Sequence, residues 1–114
     1  MNECLFCGIV DGKVKADIVY RDDSVIAFRD INPKAPIHIL IIPRKHIATL
    51  VDLQPGDGPV LGAIFRAAAK LADELGVAKS GFRVVVNCGK DAGQTVFHLH
   101  YHLLGGRHLG WPPG

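Results

Sequence analysis

The feature that most constrains the fold is an apolar run enclosed by two prolines, from Pro36 to Pro43. Its sequence, PIHILIIP, carries one polar side chain, that of His38. A continuous apolar run of this length, bounded by residues that interrupt regular structure, is typical of a strand buried on both faces. We expect a central strand here. His38 is either a core histidine with satisfied hydrogen bonds or a residue that contacts and supports the row of histidines at 98–102.

One long amphipathic helix follows, over Pro59 to Leu75. Proline suits a first helical position, glycine suits the stop, and the apolar side chains fall on one stripe: Leu61, Ile64, Phe65, Ala68, Leu71, Ala72 and Leu75. Strands are predicted at 18–21, 25–28, 82–87 and 98–104, and a short helical turn at 4–10. The sequence therefore predicts one α+β domain over residues 1–114, with a mainly antiparallel five-stranded sheet, one long helix and a short N-terminal helix.

Composition excludes several classes of protein. The chain has 114 residues with 13 basic and 11 acidic side chains, a net charge of +2, and no basic block, so nothing favours a nucleic-acid partner. Its apolar runs are far shorter than the roughly 20 residues of a membrane span. The first residues lack a secretory signal pattern, and three cysteines do not suggest a disulfide framework. We expect a cytoplasmic protein with no membrane partner.

Three histidines alternate with apolar residues at His98, His100 and His102. Alternation predicts a strand, which would place the three imidazoles on one face at intervals of about 6.6 Å. A polar, glycine-containing loop at 89–95 precedes them, and its backbone amides suit a phosphate. Three interpretations stay open on spacing alone: a catalytic row, a metal site, or a half-exposed polar face.

Two other features carry alternatives of their own. Cys4 and Cys7 are spaced as a redox pair, as half of a zinc site that His46 and His98 complete, or as two small core residues. No strand precedes them, which disfavours the redox pair. Asp30 lies at a strand end, where its carboxylate either accepts hydrogen bonds from a ribose diol or caps its own turn.

The motif from His98 to Leu104 resembles that of the histidine triad family, in which three histidines alternate with apolar residues. The similarity extends over nearly the whole chain, through 28–38, 42–46, 87–96 and 105–107 to the ending Trp111-Pro112-Pro113-Gly114. That ending is similar to the nucleotide-binding branch of the family, the purine nucleoside phosphoramidases. The resemblance implies a homodimer whose two sheets join into one. It also implies hydrolysis of the P–N bond of adenosine 5′-monophosphoramidate-type substrates through a nucleotidyl-histidine intermediate.

The same resemblance implies a role for each matching residue. His100 is the expected nucleophile, His102 contacts the phosphoryl oxygens and helps to protonate the leaving amine, and His38 supports them. Asp30 is expected on the ribose. The phosphate is expected on Asn87, Gly93, Thr95 and Val96, and the base among Leu5, Phe6, Ile9, Phe28 and Ile31. The family more often has serine at position 95, so threonine keeps the hydroxyl but restricts its rotamer.

A structural zinc ion is implied on Cys4, Cys7, His46 and His98, because members with the cysteine pair have four such ligands. No organic cofactor is expected. Two alternatives to the hydrolase remain: a nucleotide-binding or scaffolding protein with vestigial hydrolysis, and a metal-dependent hydrolase that uses the histidine row as a catalytic zinc site.

Overall fold

The computed structural model describes residues 3–114. In chain order the elements are α1 (Leu5–Val10), β1 (Ile18–Arg21), β2 (Val25–Arg29), β3 (Ile37–Pro43), α2 (Gly58–Glu74), β4 (Phe82–Val86) and β5 (Tyr101–Gly105). Single 3-10 turns occur at Leu50–Asp52, Pro55–Asp57 and Lys90–Ala92. Within the described part of the chain, no helix is long and apolar enough to cross a membrane. The predicted α+β class, the five strands and both helices are confirmed.

The strands form one antiparallel sheet in the order β1-β2-β3-β5-β4. The last strand is inserted between β3 and β4, so β5 is hydrogen-bonded on both sides. This arrangement places His102 at the middle of the sheet, where its strand has a neighbour on each side. The cross-strand partners of His102 are Leu40 of β3 and Val85 of β4.

Both faces of the sheet are covered, as the apolar run in β3 predicts. The long helix α2 packs on one face, and the core between them includes Ile39, Ile41, Ile64, Leu71 and Leu103, each at most 2% exposed. The short helix α1 packs on the other face over a second cluster of Phe6, Ile9, Ile26, Phe28, Leu40 and Ile42. Because α1 covers only part of this second face, it leaves His100 and His102 at the edge of a cleft.

The strand at the end of the chain is shorter than the alternation predicts. It begins at Tyr101, so His98 and His100 precede it. The backbone N–H of Leu99 donates to the carbonyl of Ile47 (2.6 Å), outside the ladder between β3 and β5. The predicted strand over 98–104 is therefore confirmed only from Tyr101 onward, since residues 98–100 precede it and Leu99 bonds to the segment after β3.

Truncation of a side chain between the sheet and α2 tests this packing. Ile41 is fully buried, and Ile41→Ala should lower the free energy of unfolding by about 3–4 kcal/mol because it removes buried methylenes and leaves a cavity. Chemical denaturation monitored by circular dichroism measures the loss. Val51→Ala, at a position 81% exposed, is the control and should change stability by less than about 0.5 kcal/mol. Equal effects of the two substitutions would contradict the assigned core.

Candidate active site

A cleft of about 330 Å³ opens between α1, the segment after it and the ends of β2 and β5. This volume is within the usual range for sites that bind small molecules. Ten of the residues predicted to contact a nucleotide line it: Leu5, Phe6, Ile9, Phe28, Asp30, Ile31, Thr95, Val96, His100 and His102. Asn87 instead lines an adjoining cleft of about 310 Å³, which shares Asp30 and His102 with the first. Gly93 ends the 3-10 turn Lys90–Ala92, has a φ of 83° and lines neither cleft.

The His100 ring is held so that one nitrogen is available to the cleft. Its Nδ1 lies 2.8 Å from the backbone carbonyl of His98, which can only accept, so Nδ1 carries the proton. Nε2 then holds a lone pair, has no hydrogen-bond partner within residues 3–114 and is not fully buried. The Phe6 ring packs against the imidazole edge-on, with centroids 5.2 Å apart. A neutral imidazole held in this tautomer can act as a nucleophile through Nε2.

A second hydrogen-bond chain orients the next histidine. The backbone N–H of Lys34 donates to His38 Nδ1 (3.0 Å), so a neutral His38 carries its proton on Nε2. That nitrogen lies 2.9 Å from His102 Nδ1 and 3.4 Å from a carboxylate oxygen of Asp30. His102 therefore accepts at Nδ1 and presents an N–H at Nε2. The site thus places a nucleophilic nitrogen on His100 beside a hydrogen-bond donor on His102, with ring centroids 5.1 Å apart.

Both supporting histidines are uncharged at neutral pH. Burial, together with the neighbouring His100 and His38 rings, lowers the pKa of His102 to about 4. Burial also lowers the pKa of His38, although the Asp30 carboxylate opposes this effect. The tautomers assigned from the hydrogen bonds require both rings to be neutral, which is also the protonation state that burial favours.

The four predicted metal ligands form a separate cluster. The Sγ atoms of Cys4 and Cys7 and the Nδ1 atoms of His46 and His98 all lie within 4.8 Å of one another. The distance between the two nitrogens is 3.3 Å, and three sulfur–nitrogen distances are 3.3–3.5 Å. Zn–N bonds of about 2.1 Å and Zn–S bonds of about 2.3 Å at tetrahedral angles would separate two nitrogens by about 3.4 Å and a sulfur from a nitrogen by about 3.6 Å. The donor set and its spacing fit a closed tetrahedral zinc site.

His98 is oriented for this cluster rather than for the cleft. Its Nε2 lies 2.8 Å from the carbonyl of Pro43, to which it donates, so the lone pair of Nδ1 faces the two cysteines. Burial lowers the pKa of His98, which favours the neutral form that a metal ion requires. The alternating motif therefore divides: His98 belongs to the metal site, and His100 and His102 belong to the cleft.

The helix α1 connects the two sites. It has six residues, which is too short for a helix that is stable by itself, and Cys4 caps it by accepting from the backbone N–H of Cys7 (3.4 Å). Phe6 lies between the cysteines in sequence and contacts both His98 and His100, at centroid distances of 6.0 and 5.2 Å. Whatever binds the cysteines therefore also fixes one wall of the cleft.

Gln94, to which no sequence motif assigned a role, holds the loop before the histidines. This side chain is buried, and its oxygen accepts from the N–H of Gly89 (2.9 Å). Its amide group donates to the carbonyls of Ala48 (3.0 Å) and Val96 (3.1 Å). A buried glutamine with all these bonds fixes the loop that presents Thr95 and Val96 to the cleft. No local pattern could have revealed this role, because Ala48 is 46 positions away in the chain.

Five further residues line the cleft without having been predicted, namely Val14, Lys15, Ala16, Arg29 and Leu40. The first three follow α1 in the chain. Their segment is held against α1 by the backbone N–H groups of residues 13 and 14, which donate to the carbonyl of Gly8. Leu40 could have been found from the alternation of β3, since it shares a face with His38. The segment 13–16 has no such periodicity.

Comparison with known proteins identifies the family. The model of the HIT domain matches residues 11–109. The chain belongs to the HIT domain family. The predicted resemblance to histidine triad proteins is thereby confirmed.

Characterised and solved HIT proteins match nearly the whole chain. It is 47% identical over 109 residues to the purine nucleoside phosphoramidase of Escherichia coli K12, covering 96% of this chain and 92% of that protein. A HIT family hydrolase of Legionella pneumophila Philadelphia 1 superposes with a TM-score of 0.96 at 49% identity, covering 98% and all of the respective chains. A histidine triad nucleotide-binding protein of Candida albicans gives a TM-score of 0.83 at 33% identity, covering 96% of this chain and 83% of that one.

The protonation of His102 can be measured directly. We expect nitrogen-15 NMR of the histidine side chains to show His102 neutral, with its proton on Nε2, from pH 8 down to about pH 5, and to give a midpoint near 4. Burial opposes the charged ring, so its proton uptake is shifted to acidic pH relative to the unfolded chain. Protonation of the unfolded chain near pH 6.5 then destabilises the fold as the pH falls from there towards 4. A His102 midpoint near 6.5 would contradict the assigned environment.

Proposed function

We propose that this HIT protein is a purine nucleoside phosphoramidase, which hydrolyses the P–N bond of adenosine 5′-monophosphoramidate-type substrates. The observation that carries the proposal is the pair of nitrogens at the cleft: a lone pair on His100 Nε2 beside an N–H on His102 Nε2. The 47% identity to a curated purine nucleoside phosphoramidase supports the same activity. The cleft has an apolar end that suits a base, Asp30 that suits a ribose, and Thr95 and Val96 that suit a phosphate.

In the first step, His100 Nε2 attacks the α-phosphorus and the P–N bond breaks. The imidazole becomes positively charged, and the proton on Nδ1 stays bonded to the His98 carbonyl throughout. The departing nitrogen takes up one proton from solvent, and the N–H of His102 Nε2 would hydrogen-bond to that nitrogen and help to direct the proton to it. His102 then stays neutral throughout the step. Hydrogen-bond donors from Asn87 and from the loop at 89–95, which includes Gly93, would stabilise the phosphoryl oxygens.

In the second step, water attacks the phosphorus of the nucleotidyl-histidine. One proton of the water is released to solvent, the nucleoside monophosphate leaves, and His100 is neutral again. Division of one displacement into two lets the same imidazole serve as nucleophile and then as leaving group. His38 keeps the donating nitrogen of His102 directed at the phosphorus in both steps.

Replacement of the nucleophile tests the mechanism. His100→Ala should lower kcat by roughly a thousandfold or more, because within residues 3–114 the other unprotonated ring nitrogen at the cleft, His102 Nδ1, is already bonded to His38, while AMP affinity changes little. Intact mass spectrometry after brief exposure to substrate should detect a nucleotidyl adduct on the wild-type protein and map it to His100. The control, His108→Ala, removes an exposed histidine of the C-terminal segment and should retain both activity and adduct. Substantial turnover by His100→Ala would refute the mechanism.

Two other functions make different predictions. For a nucleotide-binding or scaffolding protein, turnover would stay near the solvent background with every phosphoramidate and acyl-adenylate. For a metal-dependent hydrolase, a chelator would abolish kcat at saturating substrate without unfolding the chain. The separation of His98 from the cleft argues against the second alternative, since one member of the histidine motif faces the cysteines.

We also propose that the cluster of Cys4, Cys7, His46 and His98 holds a structural zinc ion and that no organic cofactor is needed. When bound, the ion would supply four bonds that tie α1 to the segments after β3 and before β5. Since α1 carries Phe6 to the His100 ring, the residues of the cluster position the nucleotide wall. The metal site therefore acts on the cleft through structure, not through contact with substrate.

Binding of metal and nucleotide should consequently be cooperative. We expect removal of zinc by a chelator to weaken AMP binding by about tenfold, and AMP to tighten zinc binding by the same factor, because coupling between two sites is reciprocal. Titration calorimetry measures the first effect and competition with a fluorescent chelator the second. Cys88→Ser, outside the cluster, should leave both unchanged. Equal AMP affinity in the zinc-loaded and zinc-free folded proteins would refute the coupling.

A homodimer fits the exposed parts of the sheet and the long helix. The strand β4 is an edge strand, and within residues 3–114 no strand pairs with its outer side. Phe65 and Phe82 are 51% and 39% exposed. Pairing of two β4 strands would extend the sheet across both copies and cover this surface. We propose such a dimer, built from one HIT domain over residues 1–114. A cytoplasmic location without nucleic-acid or membrane partners remains our prediction.

A further inference from the structure

Three charged side chains line the candidate nucleotide cleft, and two of them have partners. The Arg29 guanidinium lies 3.4 Å from the carboxylate of Asp17. Asp30 accepts from the backbone N–H of Asn32 (2.8 Å) and lies 3.4 Å from His38. Lys15 has neither a hydrogen bond nor an ion pair to any residue within 3–114, and it is exposed. Its ammonium is therefore a cation available to a ligand.

Lys15 lines the cleft from the segment that follows α1. The segment before it is tied to α1, since the N–H groups of Lys13 and Val14 donate to the carbonyl of Gly8 (2.8 and 3.1 Å). Ala16 packs on the same apolar cluster as Phe6 and Ile9. The phosphate in the proposed function lies at His100 and His102, and the ribose at Asp30. The base then lies against the apolar side chains of α1 and β2, and the neighbouring Lys15 is the lining cation without a partner within residues 3–114.

An ammonium group at this position distinguishes between purines by their hydrogen-bonding edges. It has three donors and no acceptor. Guanine presents two adjacent acceptors, O6 and N7, on one edge, whereas adenine presents N7 beside the N6 amino group, which is a donor. A lysine can thus bond both groups of guanine but faces a donor on adenine. The apolar side chains around the base contact its faces and contribute little to this choice.

We propose that Lys15 determines purine specificity and makes the cleft favour bases with a carbonyl at C6, guanine and hypoxanthine, over adenine. The inference rests on the proposed function, because it assumes that a purine nucleotide occupies the cleft. It names the preferred substrate class as guanosine- and inosine-type phosphoramidates. Lys15 touches the base and not the reacting atoms, so the preference lies in binding and KM, and kcat is the same for all three purines.

Comparison of three nucleotides on two lysine variants tests the proposal. By titration calorimetry, GMP and IMP should bind the wild-type protein about fivefold tighter than AMP, a modest ratio because Lys15 is exposed to solvent. Lys15→Met should bring this ratio to about one by weakening GMP and IMP. Lys13→Met, two residues away, exposed and not lining the cleft, is the matched control and should keep the wild-type ratio. The KM values of the corresponding phosphoramidates should follow the same pattern at constant kcat.

Four results would overturn the inference. A ratio near one in the wild-type protein, or one that Lys15→Met leaves unchanged, removes Lys15 as the determinant while the proposed function stands. GMP binding tighter than both IMP and AMP would assign the preference to the 2-amino group of guanine. Lys15 cannot recognise that group, because the amino group and the ammonium are both hydrogen-bond donors. Failure of all three nucleotides to bind would overturn both the inference and the proposed function.

Discussion

The structure of the site depends on one hydrogen bond, from His100 Nδ1 to the backbone carbonyl of His98 (2.8 Å). It fixes the proton on the inner nitrogen and leaves the outer one free to react. Because the acceptor is a backbone carbonyl, it neither titrates nor changes position with the rotamer of its own side chain. The position of that carbonyl depends in turn on His98, whose ring donates to Pro43 and faces the two cysteines.

The sheet supplies the rest of the arrangement. Insertion of β5 between β3 and β4 gives His102 a neighbour on each side, and β3 brings His38 to within 2.9 Å of it. Burial at the centre of the sheet lowers the pKa of both rings and keeps them neutral. Neutral rings in turn define which nitrogen donates. Packing, protonation and tautomer are thus consequences of one topology.

The helix α1 brings together three parts of the molecule that are distant in the sequence. Its cysteines reach the cluster with His46 and His98, its phenylalanine contacts His100, and its apolar face closes the base end of the cleft. A six-residue helix has little stability of its own, so its position depends on these contacts. This dependence is the physical basis for coupling between the metal site and the nucleotide site, since the same short helix contributes residues to both sites.

The class of fold follows from the sequence alone, because the apolar run of β3 is typical of a strand buried on both faces, and the stripe of α2 and the alternation before and in β5 each have one period. The sequence also determined which side chains are available for chemistry. Only the tertiary structure decided how the three histidines differ, since alternation treats them as equivalent. His98 meets Cys4 from 94 positions away, and His102 meets His38 from 64 positions away. Local periodicity cannot encode such contacts, and it equally gave no sign of Gln94 or Lys15, whose positions depend on where distant backbone segments lie.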